Sequence, residues 1–426
     1  MTSETECFVY IVLPGETDFV TAGRFQLDDG SPGPIGRFVY GRRYRERPDA
    51  VELDPVELRL SSQVYETATM DGVFGAIRDS MPDYWGRRVI ERHAGLTQLG
   101  ELDYLLKGAD DRAGALGFGL NVEPPAPERR FNRALDLATL QAAADAILAD
   151  DPVKAGAANL GSAGRQVEEL LQVGTSMGGA RPKTVIEDDG SLWVAKFGRL
   201  DDRWNVPRVE HGMLALAAAC NLTVADSRIE TVAGRDVLMV RRFDRDQADG
   251  GYRRHRMVSA LTLLRASDNQ ADRQRWSYLL FADEIRRVSA ESPADLRELF
   301  GRLCFNAATS NLDDHPRNHA VLSKGRGWRL SPAFDLTPSP AMSKERRDLA
   351  MVCGRYGRYA NKANLMSDHG RFLLGETEAE SIFDRIAGRV RDQWHPTMRR
   401  AGVSEADCDA IAGAFLYEGL FQGATA

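Results

Sequence analysis

The sequence predicts a mixed α/β (α+β) protein built from three consecutive regions: residues 1–124, 125–245 and 246–426. Three observations carry this. Short runs rich in Val, Ile, Phe and Tyr alternate with Gly, Asp and Pro turns in the first region, the pattern of strands. A proline-rich polar stretch, Glu123-Pro-Pro-Ala-Pro-Glu-Arg-Arg130, marks a boundary. Beyond about Val258 the apolar residues recur at helical spacing instead.

In the first region, Cys7 to Pro14, Phe19 to Leu27 and Ile35 to Arg42 read as strands, and Met81 to His93 reads as a helix. Tyr104-Leu-Leu, Ala115-Leu116 and Phe118 to Asn121 close it. No residue pattern there suggests chemistry. In the second region, Leu135 to Ala149 is Ala- and Leu-rich with helical spacing, as is Val167 to Leu171. Leu192-Trp-Val-Ala-Lys196-Phe reads as a strand. Its period of two puts Leu192, Val194 and Lys196 on one face and Trp193, Ala195 and Phe197 on the other. Asn205 caps a helix that runs to about Asn221, with Pro207 at its first position and Glu210 in its first turn. Asp236 to Asp244 is a further strand. In the third region, Leu296, Leu299, Phe300, Leu303 and Ala307 form a helical stripe. Trp328 to Asp335 reads as a short strand, and helices near Glu378 to Val390 and Ser404 to Phe421 end the chain.

The chain has 426 residues, 43% of them apolar and 27% charged, ordinary for a globular protein with a large core. A net charge of −7 argues against a self-sufficient nucleic-acid surface, which needs a basic patch to displace counterions. The basic runs Arg42-Arg43-Tyr44-Arg45-Glu46-Arg47 and Arg253-Arg254-His255-Arg256 are expected to be solvated loops. Five scattered cysteines without a Cys-x-x-Cys pair suit a reducing cytoplasm. The first residues carry no signal-peptide pattern, and the apolar stretch near Gly212 to Leu222 is too short to span a bilayer. Only seven of the 55 basic residues are lysine, so a lysine in an ordered strand, as at 183 and 196, draws notice for its compact ammonium.

The chemistry-bearing stretch is Asn311-Leu-Asp-Asp-His-Pro-Arg-Asn-His319, read with Phe334-Asp335-Leu336. Asp313 offers a carboxylate, Asn318 an amide five residues on, and Asp335 a second carboxylate. Phosphoryl transfer from a metal-bound nucleotide uses such a set: one carboxylate for the attacking hydroxyl, and hard oxygen ligands for Mg²⁺. By itself the Asp-x-x-x-x-Asn spacing is weak, because Asp, Asn and Pro also make turns. His315 and His319 form a His-x-x-x-His pair, but Pro316 disfavours a regular helix and no third zinc ligand is apparent. Upstream, Gly174-Thr-Ser-Met-Gly-Gly-Ala-Arg-Pro-Lys-Thr184 can turn tightly and fold N–H groups over phosphates; as a plain hairpin turn it would look the same. Lys196 needs a partner or ligand on its strand face, and Glu210 on the following helix is available.

Taken in order, Ser176-x-Gly-Gly-Ala-Arg-Pro-Lys183, Leu192 to Phe197, Glu210, Arg242-Phe243-Asp244-Arg245, Asp313 to Asn318 and Phe334-Asp335-Leu336 resemble the HipA family of bacterial serine/threonine kinase toxins from type II toxin–antitoxin modules. The resemblance covers essentially the whole chain. It implies a protein-kinase-like two-lobed fold with a mainly helical C-lobe, preceded by a mixed α/β N-terminal domain over 1–124. It also implies ATP and Mg²⁺ as cofactors. By this resemblance Asp313 is the catalytic base, and Asn318 and Asp335 bind Mg²⁺. Lys196, paired with Glu210, holds the ATP phosphates, and the loop residues Ser176, Met177, Gly178, Gly179 and Lys183 line them. Arg242 and Phe243 meet adenine through their backbone, and Asp244 meets the ribose. Ser176 matches the serine that the family autophosphorylates, with Thr175 beside it as a second acceptor. A phosphate there adds a charge near −2 and would eject the loop, silencing the kinase. The implied partners are a HipB-like DNA-binding antitoxin and a protein substrate such as an aminoacyl-tRNA synthetase, whose modification blocks translation and growth. Arg241 and Arg242 replace acidic residues of some members at the lobe junction, a change that a backbone contact tolerates. Two rivals stand beside this reading. One is a catalytically weak corepressor acting with the antitoxin on DNA, against which the intact Asp313, Asn318, Asp335 and Lys196 argue. The other is a small-molecule kinase of related fold. No helix-turn-helix is evident, so DNA contact would come through a partner.

Overall fold

The computed structural model describes residues 5–30, 33–95, 99–128, 131–149, 181–340 and 343–423. The chain divides into two compact units. The first comprises 1–201, 230–258 and 322–326, and the second 202–229, 259–321 and 327–426. The first two regions expected from sequence therefore fall largely in one unit.

The first unit holds two sheets. In one, β1 (Glu6–Val12), β2 (Phe19–Asp28), β3 (Ile35–Tyr40), β4 (Val64–Thr67) and β5 (Leu116–Gly119) are ordered β4-β3-β2-β1-β5. Burial alternates along β3 at Gly36, Phe38 and Tyr40, whereas β1 is buried continuously from Val9 to Val12, as a strand covered on both faces is. The other contains β6 (Asn132–Arg133), β7 (Lys183–Asp188), β8 (Ser191–Phe197), β9 (Ser227–Val232, of which 230–232 belong here) and β10 (Arg235–Arg241), ordered β6-β7-β8-β10-β9. Two helices cover one face of this sheet. The helix α1 (Tyr84–Ala94) is capped by Asp83, which accepts a hydrogen bond from Gly86 N, and ends at Gly95 in the left-handed region. The helix α3 (Leu137–Leu148) follows α2 (Glu101–Lys107) in the chain. Leu140, Ala144 and Ile147 of α3 and Trp85 and Val89 of α1 pack on Ile186, Ala195, Phe197, Val237 and Met239. Each large aliphatic side chain so buried contributes about 1.5–3 kcal/mol. The Ala195/Phe197 face thus meets the helices, and Lys196 stands on the other face, as the period of two requires.

One expectation is corrected here. Arg254, His255 and Arg256 are buried rather than solvated. They lie on and after the hairpin of β11 (Arg245–Ala248) and β12 (Gly251–Arg254). Arg254 pairs with Asp110 at 2.7 Å, and Arg256 pairs with Glu52 at 2.6 Å and donates to Ser323 Oγ at 2.9 Å. His255 Nε2 lies 2.8 Å from Asp246 Oδ2. Buried charge survives only when its donors are matched in this way.

The second unit is mainly helical: α4 (Val206–Ala219), α5 (Tyr278–Val288), α6 (Ser292–Ala308), α7 (Glu376–Arg400) and α8 (Glu405–Ile411). Helix α4 starts as the sequence indicates, with Asn205 Oδ1 accepting from Arg208 N at 3.1 Å. Pro207 falls at its second position and Glu210 beyond its first turn, so the helix dipole is not what favours that acid. Helix α6 is buried nearly all round, including Leu296, Leu299, Phe300 and Leu303 of the expected stripe. The expected strand from Trp328 shrinks to Arg329–Leu330, and the helical spacing expected from about Val258 begins instead with a strand, Arg256–Ser259, followed by one turn, Ala260–Leu263. No described helix is long and apolar enough to cross a membrane.

Candidate active site

Helix α6 delivers the chain to the loop at residues 311–319, which carries the expected catalytic residues. Thr309 Oγ1 bonds back to Phe305 O, and Ser310 takes a left-handed backbone (φ 46°) that turns the chain out of the helix. Asn311 N then donates to Asn306 O at 2.9 Å. Pro316 opens a single 3₁₀ turn over Pro316–Asn318, with His315 N and Asn318 N closing onto Asp313 O and His315 O. The loop is therefore a set of tight turns, and its five-residue spacing puts the Asn318 amide beside the Asp313 backbone: Asn318 Nδ2 donates to Asp313 O at 3.2 Å. With its amide nitrogen so used, Asn318 has its carbonyl oxygen as the remaining acceptor.

Asp313 and Asp314 face opposite ways. Asp313 is exposed and Asp314 is 1% exposed. Beneath the loop, Asp314 Oδ2 accepts from His319 Nε2 at 2.7 Å and from the Tyr278 hydroxyl. Tyr278 in turn accepts from Asn306 Nδ2 at 3.0 Å, and Asn306 Oδ1 accepts from Asn311 Nδ2 at 3.1 Å. All five residues are buried. Because a carboxylate only accepts, His319 carries its proton on Nε2; its Nδ1 is buried with no partner. Sequence reasoning did not assign Asp314, Tyr278 or Asn306. The doubled acid Asp313-Asp314 was the only available signal.

Asp335 reaches the same neighbourhood through two anchors. Ala225 N donates to Ala333 O and Ala333 N to Thr223 O, fixing the chain before it. Ser339 N donates to Ser310 O at 2.9 Å, fixing it after. Between them Asp335 takes a left-handed backbone (φ 57°), unusual for a residue with a side chain. Partial desolvation pushes the Asp313 carboxyl above its ordinary range; His315 opposes this, Asp335 and Asp314 add to it, and Arg273 opposes it. The Asp335 carboxylate, whose charge is felt at Asp313, and the Asn318 amide oxygen are hard oxygen donors of the type that a divalent cation such as Mg²⁺ prefers, so these residue types fit it. Among the described residues no group of three or more His, Cys, Asp or Glu side chains is arranged to hold a metal.

The remaining expected residues lie as follows. Lys196 is in the first unit and Glu210 in the second, where it is buried at 3% exposure. Lys183 stands directly across from Lys196 in the β7–β8 ladder. Two like charges so placed repel, but Lys183 is neutralised by Asp83 at 2.7 Å, both nearly buried. Arg242 N donates to Leu192 O at 2.8 Å, so that amide is already engaged. Asp244, the residue expected at the ribose, is buried, and its carboxylate is engaged within the protein. Its carboxylate accepts from Arg242, Arg245 and Gly114 N at 2.8–2.9 Å. Burial alone would raise its pKa, but Arg242 and Arg245 hold it well below the carboxylate range. Thr175, Ser176, Met177, Gly178 and Gly179 lie outside the described residues.

Comparison with known proteins adds the following. Residues 175–394, more than half of the chain, match the HipA-like C-terminal domain, and residues 17–119 match the HipA N-terminal domain. A provisionally named kinase, Y4mE of Sinorhizobium fredii (strain NBRC 101917 / NGR234), is 27% identical over 193 residues, 42% of this chain. The match spans 46% of that relative's length, so this chain spans about half of the curated relative it matches. A solved structure, described as the Shewanella oneidensis MR-1 toxin–antitoxin system HipA, HipB and its operator DNA complex, aligns with a TM-score of 0.68 at 16% identity. That alignment covers 95% of this chain and 94% of the other, and it establishes a common fold.

Proposed function

The chain belongs to the HipA family, and from that membership we propose that it is a Mg-ATP-dependent serine/threonine protein kinase. The observation that carries this reading is the loop geometry: an outward carboxylate at Asp313, an amide oxygen at Asn318 and the Asp335 carboxylate in the electrostatic reach of Asp313. Asn318 and Asp335 would hold magnesium, which would neutralise charge on the nucleotide phosphates. Lys196 would grip those phosphates. Asp313 accepts the proton of the acceptor hydroxyl as its oxygen bonds to the γ-phosphorus. The bond from that phosphorus to the β,γ-bridging oxygen breaks, and ADP leaves with the electron pair. Desolvation makes Asp313 a stronger base than a free carboxylate.

The acceptors in this reading are a protein and the chain's own Ser176 or Thr175; an aminoacyl-tRNA synthetase is the proposed protein, with arrested translation the consequence. A HipB-like DNA-binding antitoxin is the proposed partner, a reading supported by the likeness to the Shewanella HipA, which was solved in complex with HipB and operator DNA. The test is intact mass and peptide mapping after incubation with Mg-ATP, wild type beside Asp313→Asn. A phosphate on the 174–184 peptide in wild type alone is expected. No phosphate in either protein, together with no nucleotide binding by calorimetry, overturns the kinase and leaves the corepressor.

A further inference from the structure

Beside the catalytic loop, within the second unit, runs an exposed polar segment, Asp268 to Arg275. It contains a 3₁₀ turn over Gln270–Arg275, with Asn269 Oδ1 accepting from Ala271 N. Unlike most exposed turns it is fastened at both ends to the loop that carries the base. At one end Arg317, between Asp313 and Asn318, makes a two-pronged ion pair with Asp268 at 2.7 and 2.9 Å. At the other, the Trp276 ring meets His315 edge-on, centroids 6.4 Å apart, while Trp276 Nε1 donates to Ser267 O at 3.1 Å. The segment forms a ledge whose position is tied to that of Asp313.

The charges on this ledge are unequal in their commitments. Asp268 is taken by Arg317, and Asp272 accepts from Ser267 N at 2.9 Å. Arg275 donates to Leu264 O at 3.0 Å, and Arg265 faces Glu284 at 3.7 Å. Arg273 is different. Its guanidinium lies over the Trp276 ring at 5.5 Å and, among the described residues, makes no ion pair or side-chain hydrogen bond. It is close enough to Asp313 to stabilise that carboxylate's charge. A guanidinium seated over an indole is restrained by the ring's π face while its planar N–H donors can still fork onto a carboxylate. The chain's net charge of −7 makes an uncommitted cation at this spot selective rather than part of a general basic face.

We propose that the Asp268–Arg275 ledge seats the acceptor chain and that Arg273 selects acceptor segments carrying an acidic side chain next to the serine or threonine that is phosphorylated. This rests on the kinase reading above and adds a substrate class to it. Opposite charge on the acceptor pairs with Arg273, and the neighbouring hydroxyl is thereby laid at Asp313. A basic acceptor segment is repelled.

The test uses the full chain, Mg-ATP and serine peptides identical except for Asp, Ala or Arg beside the serine, with kcat/KM measured for wild type, Arg273→Ala and Arg273→Glu. Wild type is expected to prefer the Asp peptide over the Ala peptide by about fivefold, the worth of one exposed charge pair. Arg273→Ala should lose that preference, and Arg273→Glu should turn it toward the Arg peptide, with KM for ATP unmoved in both. Equal wild-type rates on all peptides, or a preference that survives Arg273→Ala, overturns the proposal. So does a change confined to KM for ATP, which would place Arg273 on the nucleotide. Self-phosphorylation with no peptide turned over overturns the ledge alone, whereas failure of both, with no nucleotide bound, overturns the kinase beneath it.

Discussion

At the scale of one residue, Asp313 carries a cost that the role proposed for it would require. Its pKa is raised above the reference value of 3.8, first by desolvation, then by Asp335 and Asp314 against the opposing His315 and Arg273. The folded chain therefore binds that proton more tightly than the unfolded chain does, and the ionised form is disfavoured on folding. The sign follows. The penalty is absent below the ordinary carboxylate range, grows as pH rises through the raised pKa, and is complete above it. Asp313→Asn removes the ionisation, so the variant should be inactive yet melt slightly higher than wild type at pH 7. The difference should shrink as the pH is lowered toward about 4. Wild-type kcat/KM should fall on its acid limb at a pH above that of a free carboxylate. Calorimetric melting of the two proteins across this range decides it; a variant no more stable than wild type at pH 7 would remove desolvation as the cause. Asp313, Asn318 and Asp335 were legible as candidates because their residue types and spacing are chain-local, weak alone and sharpened only by the motifs upstream. The inward turn of Asp314 was not, since two adjacent acids are equivalent until Tyr278 and His319 take one of them.

At the scale of the element, the proposed catalytic loop has little regular structure of its own, and a buried polar chain holds it: Asn311, Asn306, Tyr278, Asp314 and His319. Its links run from the loop to α6, across to α5 and back to the loop, so the network sets where the loop sits on those helices. Replacing Asp314 by Leu strands the Tyr278 hydroxyl and the His319 N–H without an acceptor. Each buried group left so costs about 1–3 kcal/mol. Asp314→Asn keeps one acceptor oxygen and should cost less. We expect Asp314→Leu to lower stability by roughly 2–5 kcal/mol and Asp314→Asn to be stable but slow. The loss in Asp314→Asn should lie in kcat with KM for ATP near wild type. Denaturant unfolding and steady-state kinetics on the two variants check this; Asp314→Leu with wild-type stability would mean that the network does not hold the loop. The helices themselves were readable from periodicity and caps: α1, α3 and α6 all appear within a few residues of their expected bounds. What periodicity could not show was the fate of Arg254 to Arg256. Their partners, Asp110 and Glu52, are 144 and 204 residues away, and a basic run with distant carboxylates reads locally as a solvated loop.

At the scale of the whole molecule, the residues assigned to the nucleotide and to the transfer divide between the units, Lys196 in the first and Asp313, Asn318 and Asp335 in the second. A ligand that binds only the folded chain raises its stability by RT ln(1 + [L]/Kd), about 2.7 kcal/mol at a hundredfold excess over Kd. Mg-ATP, or a non-hydrolysable analogue that avoids turnover, should therefore raise the melting temperature of wild type by a few degrees. Asp313→Asn should keep this shift, because the base is not a ligand of the nucleotide. Lys196→Ala should lose most of it, having lost the phosphate grip. Asp335→Asn should lose the part that depends on magnesium, as should wild type with the cation chelated. These five responses separate the roles without relying on turnover: a shift that ignores Lys196 and Asp335 alike would place the nucleotide elsewhere on the chain. The absence of any shift at millimolar nucleotide would leave the outward Asp313 without its co-substrate.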